Sequence, residues 1–171
     1  DPSGSPPECA GHGAVWDTVS NRMLVFGGKN RDGALNDLWS YDPNAETWTQ
    51  LSPTGNLPSP RITWNVAWDA DKNRMLVYGD NQSEQEISDL WSYDATANAW
   101  TQLGPTGGLP RGRNGQSAVW DSHANRMLIF GGCCRPLLND LWSFSPAAGV
   151  WTQLRPVGQV PSAREETGAV W

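Results

Sequence analysis

Asn21-Arg22-Met23-Leu24-Val25-Phe26-Gly27-Gly28 returns as Asn73-Arg74-Met75-Leu76-Val77-Tyr78-Gly79-Asp80, and again as Asn125-Arg126-Met127-Leu128-Ile129-Phe130-Gly131-Gly132. Upstream of each copy stands Ala14-Val15-Trp16-Asp17 or its counterpart, and that Trp recurs at 68, 120 and 171 with spacings of 52, 52 and 51. Downstream, Leu38-Trp39-Ser40-Tyr41 returns at 90–93 and 141–144, and Trp48-Thr49-Gln50-Leu51 at 100–103 and 151–154. Self-similarity at a fixed period of this length marks a repeat architecture, in which each unit buries its apolar faces against its neighbours.

Each unit reads as four short strands. Runs of five to eight residues rich in Trp, Val, Tyr and Thr are separated by turn residues about every ten positions. The Asp17-x-x-x-Asn21 segment joins the first two strands: Asp caps a tight turn and Asn tolerates a positive φ. Gly27-Gly28 ends the second strand, where the chain needs an unusual dihedral or a close backbone approach. Asp42-Pro43-Asn44 turns the third strand into the fourth, and Pro53 to Pro58 carries the chain to the next unit. No stretch sustains a 3.6-residue period, so essentially no helix is expected.

The 171 residues include 11 Trp, 18 Gly and 13 Pro, with only 18% charged residues. Ten of the Trp fall on repeat positions: four in first strands, three in third strands and three in fourth strands. Sheets packed face to face need bulky apolar side chains on both faces, and these Trp are read as packing residues. A net charge of −6 argues against a sequence-independent grip on nucleic acid and against an anionic membrane surface. No apolar run approaches a membrane-spanning length, and Asp1-Pro2-Ser3-Gly4 has neither the charge nor the apolar run of a signal peptide. Cys9, Cys133 and Cys134 are an odd set that implies no closed disulfide framework.

A period near 50 with four strands and a paired Gly resembles the kelch repeat, one blade of a β-propeller. The matching elements are the double Gly at 27–28 and 131–132, the fourth-strand Trp (48, 100, 151), and the Arg of the inter-blade segment (61, 113, 164). The chain departs from the pattern at Cys9, which stands where that Arg belongs, and at Gly79-Asp80, which replaces a double Gly. The resemblance implies an all-β propeller segment with blades at 10–52, 62–104 and 114–155, plus the first strand of a fourth blade at 165–171. Its wording is similar to galactose-oxidase-type central domains. The copper ligands of that family do not carry over, since Tyr41 and Tyr93 are repeat-equivalent packing residues whose third counterpart is Phe144.

No catalytic constellation is found. His12 and His123 are the only histidines, no Cys-x-x-Cys or His-x-x-x-His spacing exists, and neither a metal nor another cofactor is expected. There is no Gly-x-Ser-x-Gly elbow, and Glu84/Glu86 and Glu165/Glu166 lie in polar loops. His123 reads as a solvated turn residue and His12 as a packed one. Arg22, Arg74 and Arg126, and Asp37, Asp89 and Asp140, recur in every blade and are expected to close local hydrogen bonds, with a bidentate Arg–carboxylate contact as the form.

What differs between units is the loop after the second strand: 29–35, 81–87 and 133–138 diverge in residue type while the strands around them repeat. Divergent loops on a repeating frame are where recognition is grafted. The kelch resemblance implies that these loops and the inter-blade segments open on one face, lined by Arg61, Arg113 and Arg164. Trp64 is the one Trp off the repeat pattern, with His12, Gln116 and Thr167 in its place elsewhere. The expected function is therefore a non-enzymatic recognition module binding a protein, peptide or glycan, with Arg61, Arg113, Arg164, Trp64, His12 and Gln116 as candidate ligand contacts. The alternatives are a portion of an extracellular carbohydrate-active or oxidase enzyme, or an assembly module without ligand. The compartment stays open, leaning to extracellular or periplasmic. Since kelch propellers usually close with six or seven blades, the segment is expected to self-associate or to belong with the remaining blades of a longer chain.

Overall fold

A computed structural model describes residues 4–64, 66–79, 87–133 and 136–170. The repeats fold as three antiparallel sheets. The first holds β1 (Gly13–Asp17), β2 (Arg22–Asn30), β3 (Gly33–Asp42) and β4 (Thr47–Leu51), paired in that order. The second holds β5 (Val66–Asp69), β6 (Arg74–Tyr78), β7 (Leu90–Asp94) and β8 (Ala99–Leu103). In the third, β10 (Ser117–Asp121), β11 (Arg126–Gly132), β12 (Leu138–Ser145) and β13 (Val150–Leu154) are joined by a two-residue strand, β9 (Thr106–Gly107). One turn of 3₁₀ helix, Ala70–Lys72, is the single helical element among the described residues.

The turns form for the reasons the sequence gives. Asp17 Oδ1 accepts from the backbone N–H of Val19 and Ser20 at 3.1 and 3.0 Å, closing the β1–β2 turn. Asn21, Asn73 and Asn125 then take the left-handed conformation, at φ of 51°, 48° and 49°. The double glycine is a bulge: the register of β2 on β3 slips between Phe26 and Gly28, and that of β11 on β12 between Phe130 and Gly132. At Gly131, with φ of 65°, a Cβ would stand 2.6 Å from the carbonyl oxygen of Arg164. The inter-blade backbone passes across the bulge, and only glycine leaves room for it.

Alternation along each strand sends side chains to both neighbours. Met75 and Val77 of β6 join Leu24, Phe26 and Leu38 in a core between the first two blades. Leu76 and Tyr78, one residue out of phase, join Met127, Ile129 and Phe144 in a core between the second and third. Tyr78 is buried and its hydroxyl donates to the carbonyl of Pro110 at 2.7 Å. The first strands β1, β5 and β10 approach one another most closely between blades, as the inner strands of a propeller do. The architecture is thus three propeller blades in an open ring.

Each linker finishes the blade it leads to. Thr54 donates to the Asn98 carbonyl at 2.9 Å and accepts from Trp100 N–H at 3.0 Å, while β9 pairs in parallel with β13. The segment 165–170 does not extend this pattern as a strand. Glu166 N–H donates to Gly115 O at 2.7 Å and Ser117 Oγ to Thr167 O at 2.5 Å, with no ladder beside them. Among the described residues no second strand pairs with this segment. Trp171 lies outside the described residues.

Candidate recognition face

The antiparallel order places the post-β2 loops and the inter-blade segments at one end of the sheets, with the β1–β2 and β3–β4 turns at the other. Backbone bonds join the two sets directly: Ala10 pairs with Lys29, Gly28 N–H donates to Arg61 O, and Asn114 pairs with Cys133.

The six candidate contacts divide sharply by burial. Arg61 and Arg113 are 0% and 2% exposed. Arg61 donates from Nη1 and Nη2 to the two carboxylate oxygens of Asp89, at 2.7 and 3.0 Å, and from Nη1 to Gly79 O at 3.1 Å. Arg113 does the same with Asp140 at 2.6 and 2.9 Å and with Gly131 O at 3.0 Å. Their backbones run beside one blade and their guanidinium groups reach into the next. The expectation that these two arginines meet a ligand gives way to a structural role: the bidentate fork that suits a ligand carboxylate is spent on a blade-to-blade ion pair. Gln116 is also buried, and its Nε2 donates to Tyr78 O at 2.9 Å.

Trp64, His12 and Arg164 are exposed, Trp64 by 37%. Trp64 lies over the backbone of Gly11, where a Cβ would come within 3.4 Å of its indole ring. His12, expected to be packed, is at the surface instead, with Nδ1 3.7 Å from Cys9 Sγ. Cys9 and Cys133 are free thiols, and Cys134 lies outside the described residues. Burial and the nearby Asp37 carboxylate both push the Cys9 thiol up from its ordinary pKa. Arg164 Nε and Nη2 donate to Ser162 O and Oγ at 2.9 and 3.0 Å.

The recurrent Arg and Asp residues do close local bonds, and the bidentate form occurs at Asp89 and Asp140, with Arg61 and Arg113 as the donors. Arg22, Arg74 and Arg126 each donate through Nε to one oxygen of Asp17, Asp69 and Asp121, at 2.9, 2.9 and 2.8 Å. The third-strand aspartates bind indole N–H: Trp39, Trp91 and Trp142 each donate to the Asp two residues back at 2.6 Å. For Asp140, burial works to raise the carboxyl, but the hydrogen bonds of Arg113 and Trp142 outweigh it and hold the group below its ordinary pKa.

At the opposite end, a cleft of about 300 Å³ opens between the second and third blades, lined by Asp69, Lys72, Arg74, Trp120 and Pro146 among others. Between the first two blades Arg22 Nη2 reaches across to Ala95 O at 3.3 Å. Sequence reasoning missed this cleft.

A family model described as the KLHDC2/KLHL20/DRC7 Kelch-repeats domain matches residues 1–171. Kelch domain-containing protein 2 of Bos taurus is 31% identical over 143 residues, covering 80% of this chain and 33% of that protein. Host cell factor 2 of Homo sapiens is 28% identical over 179 residues, covering 93% of the chain and 22% of the relative. An enzyme of Thlaspi arvense, N-(sulfonatooxy)prop-2-enimidothioate sulfolyase, is 27% identical over 166 residues, covering 90% and 46%. The chain therefore spans less than half the length of each of these relatives.

Proposed function

This chain belongs to the kelch-repeat family, and on that footing we propose that it is a non-enzymatic recognition module whose loop-bearing face binds a protein, peptide or glycan. The observation that carries the reading is Trp64. A large aromatic ring is left exposed on a segment anchored on both sides, between the buried Arg61 and the ladder of β5. Exposed aromatic rings on rigid supports make binding anchors at low entropic cost, whether against a sugar face or an apolar side chain. His12 and Arg164 are the other accessible candidates, and the divergent loops around them supply selectivity. Arg61, Arg113 and Gln116 act through the frame, by fixing the blades that carry those groups. Further partners on this reading are other blades, from a second copy or from a longer chain.

Glycan and peptide arrays probed with the purified chain test this. Binding that falls at least about tenfold in Trp64→Ala, with an unchanged melting temperature, supports the reading. Array binding untouched by Trp64→Ala, His12→Ala and Arg164→Ala together would refute it.

A further inference from the structure

Arg74 is held by one edge only. Asp69 Oδ1 closes the β5–β6 turn by accepting from Lys72 N–H at 3.2 Å, and its Oδ2 accepts from Arg74 Nε at 2.9 Å. Arg22, at the same position of the first blade, spends Nη2 as well, on Ala95 O of the second at 3.3 Å. Arg74 makes no such bond to the third blade: among the described residues its Nη1 and Nη2 donate to nothing, and its side chain is 21% exposed. The boundary between these two blades therefore holds two guanidinium groups' worth of contact on one residue without a protein acceptor, and each blade has all four of its strands.

Arg74 and Pro146 line two hollows at once. One is the cleft of about 300 Å³, which extends toward the inner strands and takes in Lys72 and Trp120 of β10. The other, of about 150 Å³, extends toward the outer strands, where Leu103 ends β8 and Phe144 and Gly149 flank the β12–β13 turn. The two make one groove with Arg74 midway along it. Each hollow is at or below the small end of ligand pockets, room for a side chain rather than for a cofactor.

The carboxylates of the groove are already spent. Asp69 serves the turn and Arg74, and Asp71 Oδ2 accepts from the Asn125 side-chain amide at 3.0 Å across the blade boundary. The charges left over are both cationic: Arg74, and the exposed Lys72, which has no ion pair among the described residues. A groove with apolar walls and unspent cationic donors at its middle is complementary to an anion carried on an apolar frame.

We propose that this groove, at the end of the sheets opposite the divergent loops, docks an extended peptide of a partner protein. An Asp or Glu side chain of the peptide meets Arg74 Nη1 and Nη2, and apolar residues two positions to either side of it enter the two hollows, since alternate side chains of an extended chain share a face. The end-on fork is the one that Arg61 makes with Asp89 inside this chain. A net charge of −6 draws no anion from a distance, so the contact is short-ranged and the apolar flanks carry a share of the affinity. The inference is independent of the recognition reading above, which concerns the other face.

Nuclear magnetic resonance titration of the isotope-labelled chain tests the proposal. The probe is a set of capped pentapeptides with Glu or Asp at the centre and Leu, Val or Phe at both ends. Members of the set are expected to shift the amides of Lys72, Arg74, Gly104 and Gly149 and to leave those of Gly11 and Trp64 in place. Gln or Asn at the peptide centre should weaken binding at least about tenfold, and Arg74→Gln should do the same. Arg22→Gln loses the equivalent bond to an Asp in the first blade and should leave binding unchanged. Ala147→Trp, at an exposed position on the rim of the larger hollow, narrows it without touching either ion pair and should abolish binding. A set with no binding member, shifts confined to the other face, equal binding of the neutral peptides, or binding that survives both Arg74→Gln and Ala147→Trp would each overturn it.

Discussion

Arg113 and Asp140 form the lock that joins the second blade to the third, two parallel N–H···O bonds of 2.6 and 2.9 Å, with the guanidinium fully buried. Removing one member strands the other in a desolvated site. Arg113→Ala is expected to cost about 3–5 kcal/mol of folding stability. Arg164→Ala, the same substitution at the exposed repeat position, is expected to stay within about 0.5 kcal/mol in the monomer. Urea unfolding of the two variants makes the comparison. Equal losses would show that the carboxylate partner contributes nothing.

A second matched pair tests the docking of linkers on blade edges. Gly107 and Gly158 share a left-handed backbone, with φ of 89° and 93°. A Cβ on Gly107 would stand 2.7 Å from the Trp151 carbonyl oxygen, while one on Gly158 meets nothing within 4 Å. Gly158→Ala carries only the backbone strain, about 1 kcal/mol. Gly107→Ala carries that and a displaced edge strand, about 1–3 kcal/mol more. Thermal unfolding distinguishes them, and identical melting temperatures would mean that β9 adds nothing to its sheet.

Much of this was legible beforehand because each repeat states the same local rule three times. The Asp17-x-x-x-Asn21 turn, the glycine bulge and the Trp-rich strands follow from residue type and spacing alone. What the repeat could not say is which Asp each Arg holds. Arg22 lies five residues from Asp17, but Arg61 reaches Asp89 across a blade boundary, and one sequence carries no signal for a pairing that distant. The same blindness made Arg61 and Arg113 look like surface ligands. Gln116 and His12 share one repeat position, yet one is buried between blades and the other is exposed on the outward side of the first blade.

Stability is expected to fall at both ends of the pH scale, for separate reasons. Asp140 is held below its ordinary pKa in the fold, because hydrogen bonds from Arg113 and Trp142 overcome the effect of burial. Its contribution is complete above the unfolded value of about 3.9 and is lost as pH drops through the folded value beneath it. Tyr78 is shifted the other way: burial drives its phenol well above the usual value. That contribution is complete below about pH 10 and is lost as pH rises through the folded value. Asp140→Asn should make the acid limb of the stability profile shallower, a limb that Asp17 and Asp121 share, and Tyr78→Phe the alkaline limb, which Tyr93 shares. A limb left unchanged in its variant would assign it to the other groups alone.

The fourth-strand tryptophans provide a last comparison, since one repeat position is present with and without a preceding blade. Trp100 is 3% exposed and sits between Tyr93 of its own blade and Phe26 of the first, at centroid distances of 5.3 and 4.8 Å. Trp151 is 1% exposed between Phe144 and Tyr78, at 5.2 and 5.0 Å. Trp48 keeps the partner in its own blade, Tyr41 at 5.0 Å, and is only half-buried. Alanine at 100 or 151 opens a cavity between two blades and is expected to cost about 3–5 kcal/mol. Alanine at 48 removes a partly exposed ring and is expected to cost about 1–2 kcal/mol at about 25 cal/mol per Å² of apolar surface. The three variants are compared by urea unfolding. A Trp48→Ala cost equal to that at 100 would mean that the ring contact from the preceding blade adds nothing at this repeat position.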